Sequence, residues 1–257
     1  MTHYTFGDTE LAAERLRLLA RVFDPASARF LRARLPVGLG TVVDLGCGPG
    51  TTTRLIAEVS EPRRVVGIDS SAAFLDAARK VTGTLVGPTT IAYVQHDATE
   101  LPLPEAPVDA IYARMLLAHL PDPLVIARRW QTQLSADGLL LLDDVQDIEA
   151  PDGPLASYED LVVRLVGTEG GLMYAGRALA PLGGDVVDHR VMVADAAAMF
   201  AMNLRTWRAR ALDAGLATRH ELDGLADRLD QLATSTGGDT VRWTLRQVAV
   251  SPDQPLR

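Results

Sequence analysis

The residue types best suited to chemistry lie in one short run, Val42-Val43-Asp44-Leu45-Gly46-Cys47-Gly48-Pro49-Gly50. Three glycines at alternate positions let the chain turn sharply and let a ligand approach the main chain. A helix opening at Thr51 would present unpaired N–H groups, which favour a carboxylate or a phosphate. Two further acids, Asp69 and Asp97, close the apolar runs Val65-Val66-Gly67-Ile68 and Tyr93-Val94-Gln95-His96. Each is a good helix N-cap by type, yet the carboxyl end of a strand is also where an open α/β sheet binds its ligands. The glycine spacing separates two ligand classes. A dinucleotide turn needs G-x-G-x-x-G/A, and counting from Gly46 and Gly48 the third position is Thr51. An NAD-type oxidoreductase is therefore disfavoured.

These residues need a scaffold that brings strand ends together. Strands are expected at 41–45, 64–69, 91–96, 108–113 and 138–143, alternating with helices at 51–59, 71–81 and 123–134, the last capped by Asp122. Strands rich in Val, Ile and Leu on both faces, each followed by a helix, indicate an α/β fold with a doubly wound, mostly parallel sheet and helices on both faces. Ahead of them the pattern predicts two helices, one capped by Asp8 or Thr9 and one starting at Asp24-Pro25 and stopping before Pro36. Behind them it predicts helices at 155–166, 172–182, 195–211 and 221–233, with strands at 186–194 and 241–250. The expected organisation is an N-terminal helical lid over 1–39, a Rossmann-like core over 40–147, and a C-terminal part over 148–257 that completes the sheet and inserts a helical cap.

The run D-x-G-x-G-x-G at 44–50 resembles motif I of the class I S-adenosylmethionine-dependent methyltransferases, and its companions follow in that family's order and spacing over roughly 40–146. The resemblance implies a seven-stranded sheet, S-adenosyl-L-methionine as cofactor and methyl transfer to O, N or C of a small organic molecule, with a secondary metabolite as one option. It implies that Asp44 helps hold the methionine end beside Gly46, Cys47, Gly48 and Gly50. Asp69, followed by Ser70, would take the ribose hydroxyls, since a carboxylate suits a vicinal diol. Asp97 would accept from the adenine amino group, with the Ala98 N–H donating to the ring. Arg114, leaving the fourth strand, and Arg15, on the preceding helix, are further candidates, Arg15 for the cofactor carboxylate. Tyr4 and Phe6 would close over the sulfonium, because a ring face attracts a cation.

Methyl transfer from a sulfonium needs positioning and dryness more than acid–base machinery. His119 is the one weak candidate base. Of Asp143 and Asp144, adjacent on a strand, at most one should face the site. Tyr158, Tyr174, Arg177 and His189 lie in the C-terminal part, where packing or surface roles are the simpler expectation, and Phe200, Leu204 and Trp207 share a helix face.

Composition narrows the partners. Lys and Arg number 25 against 33 Asp and Glu, a net charge of -8, which argues against a nucleic-acid partner. Lys80 is the only lysine, so a lysine base is disfavoured. Cys47 is the only cysteine, which removes disulfides and thiolate metal clusters. No metal site is expected. The first ten residues do not read as a signal peptide and no apolar run reaches membrane-span length, so a cytoplasmic protein without a membrane partner is expected. The partner is a small-molecule methyl acceptor, with a homodimer left open. The competing reading keeps S-adenosylmethionine binding without methyl transfer, in a regulatory binder or a cyclase.

Overall fold

The computed structural model describes residues 9–254. One long helix, α1 (Glu10–Arg34), precedes β1 (Thr41–Leu45), α2 (Thr51–Ser60), β2 (Arg64–Asp69), α3 (Ala72–Thr82), β3 (Leu85–Val86), β4 (Thr89–Gln95), β5 (Val108–Arg114), α4 (Pro123–Gln131) and β6 (Leu134–Glu149). The chain continues through α5 (Pro154–Thr168), the four-residue α6 (Ala175–Ala178), β7 (Asp185–Met192), α7 (Val193–Asp213), α8 (Arg219–Ala233) and β8 (Thr240–Val250).

The strands form a single sheet in the order β3-β4-β2-β1-β5-β6-β8-β7. The centre is parallel, with β1 between β2 and β5, β4 beyond β2 and β6 beyond β5. β3 pairs antiparallel with β4 at one edge, and β8 runs antiparallel between β6 and β7 at the other. The count is thus eight rather than seven, and the sheet is mixed. The added member is β3, two residues long; a pair that short carries no alternation for a sequence pattern to register.

Alternation along the central strands builds two cores. Val43 and Leu45 pack with Val66, Ile68 and Ile111 on one face, while Val42 packs with Val65, Ala110 and Leu141 on the other. A third core lies over the β6-β8-β7 side of the sheet, where Phe23 of α1, Tyr158 of α5, Phe200 and Trp207 of α7 and Trp243 of β8 come together. Tyr158 and Phe200 stack with ring centroids 4.0 Å apart. The C-terminal helices and α1 thus share one apolar centre.

The two expected N-terminal helices are one, capped by Thr9, whose side chain accepts from the Ala12 N–H. Pro25 sits inside it. Proline there deprives the Arg21 carbonyl of its partner, but Arg21 and Pro25 are both exposed, so water can serve that carbonyl. Asp24 is drawn into an ion pair with Arg114 instead of capping. The expected helix over 172–182 breaks into α6 and a 3-10 turn, Ala180–Leu182, since Pro181 cannot continue an α-helix. The helix expected to reach Leu134 stops at Gln131, and the following strand starts at Leu134 rather than Gly138.

Candidate functional site

Strand order reverses at β1, where β2 lies to one side and β5 to the other, so the carboxyl ends of these strands frame a crevice. A cavity of about 670 Å³ opens there. Its sheet-side wall is built from Gly46, Cys47, Gly48, Thr51, Asp69, Ser70, Asp97 and Ala98. Its far wall comes from α1, α5, the loop before α6, α7 and β8 and is mainly apolar, with Leu16, Leu19, Met173, Met199, Phe200 and Trp243.

The glycine turn is required by its conformation. Gly46, Gly48 and Gly50 have φ of 67°, 52° and 83°, a left-handed region that side-chain-bearing residues resist. A Cβ on Gly46 would lie 2.9 Å from Leu116 Cδ1 and one on Gly48 would lie 3.3 Å from Leu16 Cδ1. Gly50 serves packing behind the turn, where a Cβ would meet Tyr93 Oη at 2.5 Å and Ala78 Cβ at 2.9 Å; it does not line the cavity. Gly50 also caps α2 without a side chain, leaving the first-turn N–H groups for a ligand.

Asp44 lies beneath the turn rather than in the cavity wall. Its Oδ2 accepts from the hydroxyls of Thr52 and Thr53, both at 2.6 Å. Its buried Oδ1 has no partner. Burial pushes the carboxyl up to about 6, against the two threonine hydrogen bonds and the Arg114 charge. An orphaned acceptor under a glycine cradle suits a positively charged or hydrogen-bond-donating group above it.

Asp69 fixes the turn while facing the cavity. The Gly48 N–H donates to its Oδ2 at 2.9 Å and the Ser71 N–H to its Oδ1 at 2.8 Å. A carboxylate carries lone pairs on both oxygens, a chemistry suited to hydroxyl donors. Ser70 lines the cavity and its carbonyl accepts from Gln95 Nε2 at 2.9 Å. Asp97 takes the Thr99 N–H and hydroxyl on Oδ1, at 2.9 and 2.7 Å. Partial burial would raise this carboxyl, but the Thr99 hydrogen bonds prevail and hold it below its ordinary value. The Ala98 carbonyl accepts from Trp130 Nε1 at 2.7 Å, which pins the loop beside it.

Arg15 and Arg114 both line the cavity. Arg15 is 4% exposed, its stem carried by α1. Arg114 bonds Asp24 Oδ1 at 2.7 Å and Ser27 Oγ at 3.2 Å. Cys47 is buried, and burial with the Asp44 and Asp69 charges raises its thiol well above the ordinary value, so it is a packing group rather than a nucleophile. His119 is partly exposed as a residue, but its ring is desolvated in the wall. That desolvation, with the charges of Arg15 and Arg210, pulls it down to about 3. It is a neutral imidazole able to accept a hydrogen bond and a poor sink for a proton. Tyr4 and Phe6 lie outside the described residues.

Asp143 and Asp144 separate to opposite sides. Asp143 accepts from Ser27 Oγ at 2.7 Å and Tyr112 Oη at 3.0 Å, and from Gln247 Nε2 at 3.3 Å. Asp144 belongs to the cavity wall, fully buried, with neither carboxylate oxygen partnered. Tyr158 is also in that wall, its hydroxyl accepting from Asn203 Nδ2 at 2.9 Å. Tyr174 instead carries the Arg177 guanidinium over its ring at 4.7 Å, and His189 packs on Phe23. Sequence reasoning missed Asn203 and Trp243. A signal existed for the first, because Asn203 is a polar residue inside the apolar face set by Phe200, Leu204 and Trp207. Among the described residues no cluster of His, Cys, Asp and Glu is arranged to hold a metal, and no helix is long and apolar enough to cross a membrane.

Residues 43–142 match the family described as a methyltransferase domain. A trans-aconitate 2-methyltransferase from Azoarcus sp. (strain BH72) is 34% identical over 157 residues, which is 61% of this chain and 57% of that protein. One from Rhizobium etli is 37% identical over 126 residues, 48% of this chain and 46% of that protein. The chain thus matches about half the length of these relatives. Among solved structures, the cyclopropane synthase MmaA2 from Mycobacterium tuberculosis shares the fold with a TM-score of 0.54 at 17% identity, over 88% of this chain and 84% of that one. Phosphoethanolamine N-methyltransferase 2 from Haemonchus contortus aligns with a TM-score of 0.50 at 18% identity, over 93% of this chain and 52% of that one. Residues 43–142, with their glycine turn and strand-end acids, thus match a methyltransferase domain, and their motifs resemble those of the class I S-adenosylmethionine-dependent methyltransferases.

Proposed function

We propose that this chain is an S-adenosylmethionine-dependent methyltransferase acting on a small organic molecule. The observation that carries this reading is the single cavity that joins the glycine turn, Asp69 and Asp97 to an apolar chamber. In it Asp69 would take the ribose diol, and Asp97 with the Ala98 N–H would take the adenine edge. Gly46, Cys47, Gly48 and the first turn of α2 would hold the methionine end, with the orphaned Asp44 Oδ1 available to its ammonium and Arg15 to its carboxylate. When bound, the cofactor supplies an activated methyl group.

The rest is done by this chain's own residues. The far wall excludes water and orients the acceptor, which is the larger part of catalysis for an in-line displacement. His119 accepts a hydrogen bond from the acceptor and orients it, its low basicity making it an ineffective proton sink. α1 covers the cavity as the lid, with Leu16 and Leu19 facing inward.

The relatives' names put trans-aconitate among the acceptors to try. Incubation of the protein with methyl-labelled S-adenosylmethionine and a mixture of trans-aconitate, phenols and amines, followed by mass spectrometry, tests the reading. Labelled product with loss of label transfer in Asp69→Ala supports it. Cofactor binding in calorimetry without transfer to any acceptor favours a binder, and binding of NAD in place of S-adenosylmethionine overturns the assignment.

A further inference from the structure

The acceptor half of the cavity has an unusual polar inventory. Asp144 is fully buried in its wall with both carboxylate oxygens unpartnered. Asn203, 6% exposed on α7, spends its Nδ2 on the Tyr158 hydroxyl and leaves Oδ1 unpartnered. Around them stand Val145, Met173, Met199, Phe200 and Trp243. Buried polar atoms in native proteins are nearly always satisfied, and exceptions at a cavity mark what a ligand must bring. Three unsatisfied acceptor oxygens stand here against one unsatisfied donor, Trp243 Nε1, so the ligand must chiefly bring donors.

We infer that the acceptor is a largely apolar molecule presenting an amino or hydroxyl group, received by Asp144 and Asn203, rather than a polycarboxylate. This rests on the methyltransferase reading for the direction of the cofactor but not for the polarity of the chamber. A tricarboxylate brings only acceptor oxygens and repeated negative charge toward a buried acid, which is costly in an apolar wall. Even with Asp144 protonated, one proton would face a triply charged acid. The basic groups nearby are committed: Arg114 is paired with Asp24, and Arg15 serves the cofactor carboxylate in the proposed arrangement. An amine or hydroxyl satisfies Asp144 and Asn203, and its apolar body fills the space between Met173, Met199 and Phe200. Sites that hydrogen-bond a substrate O–H or N–H discriminate strongly against analogues lacking it.

The test is calorimetry of the full chain loaded with S-adenosylhomocysteine, titrated with octylamine, 4-butylphenol and trans-aconitate. At least one donor should bind the wild type ten-fold or more tighter than it binds Asp144→Leu, and more tightly than trans-aconitate binds. Asp144→Asn separates the two donors, since it removes the charge an ammonium needs and keeps an acceptor for a phenol. Asn203→Ala repeats the comparison should Asp144→Leu fail to fold. Tighter binding of trans-aconitate, equal binding of the donors to wild type and variants, or no binding of either donor overturns the inference. If S-adenosylhomocysteine itself does not bind, the cofactor reading fails separately, and the same titrations on the unloaded protein still decide the chamber.

Discussion

Arg114 Nη1 lies 2.7 Å from Asp24 Oδ1, an ion pair that ties the end of β5 to the middle of α1 across 90 residues of sequence. Ser27, one turn further along α1, bonds Arg114 and also Asp143 of β6. The helix that lines one side of the cavity is therefore fastened to the sheet through a buried polar network. Arg114 is 4% exposed at its side chain while Asp24 is 32% exposed, so losing the two partners has unequal cost. Asp24→Ala should destabilise the protein by roughly 3 kcal/mol, because it leaves the buried Arg114 charge uncompensated, and Arg114→Met by about 1 kcal/mol, because the Asp24 carboxylate left behind reaches water. Urea denaturation of both variants checks the order.

Asp144 should act in the opposite sense on stability. Burial and the neighbouring Asp143 charge push its carboxyl well above the ordinary range, and no partner offsets that cost. Asp144→Leu should raise stability by about 1–3 kcal/mol, read as an increase in Tm, while weakening acceptor binding. A lowered Tm would show that the carboxyl is satisfied in solution.

The Asp44 carboxyl gives a pH signature. It is raised from 3.8 to about 6 in the folded chain, so between those values the native state holds a proton the unfolded state has released. Its contribution is full below pH 3.8 and is lost as pH rises through 6. Over that window the unliganded wild type should lose about 3 kcal/mol relative to Asp44→Asn. Ligand binding has the reverse slope. Affinity for S-adenosylmethionine should rise with pH through 6, because the ionised form pairs with an ammonium, and calorimetry should detect proton release there. A pH-independent difference between wild type and variant would remove Asp44 as the source.

Cys47 sits in the cavity wall yet should be inert. Its thiol is buried and raised by desolvation and two nearby acids. Iodoacetamide at pH 8 should leave the native protein unmodified and label it on denaturation; rapid native labelling would show an open turn.

Gly50 and Gly46 should fail differently. Gly50→Ala drives a Cβ into Tyr93 and Ala78 at φ 83°, so it should cost stability, on the order of 2 kcal/mol or more. Gly46→Ala meets the movable Leu116 side chain at the cavity surface, and should reduce cofactor affinity by at least ten-fold with a smaller change in Tm.

The parallel core, its glycine turn and its strand-end acids were legible in the sequence alone. That half is local: β1 and β2 fall at the residues their apolar runs mark, and glycine turns and strand-end acids follow from backbone conformation over a few residues. Asp122 and Thr9 cap as their types require. Tertiary structure alone decided the rest. It let Pro25 remain inside a helix by facing its lost hydrogen bond to water and turning Asp24 to Arg114. It put Asp143 into a satisfied network and Asp144 into the cavity wall. It drew Arg15, Tyr158, Asn203 and Trp243, from four separate elements, around one chamber. Spacing cannot report such meetings, because they depend on how α1 and the C-terminal helices pack over the sheet, a non-local outcome of apolar burial. The residues proposed to choose the acceptor are therefore far apart in the chain, while Asp44, Asp69 and Asp97, proposed to face the cofactor, follow one another along the parallel core.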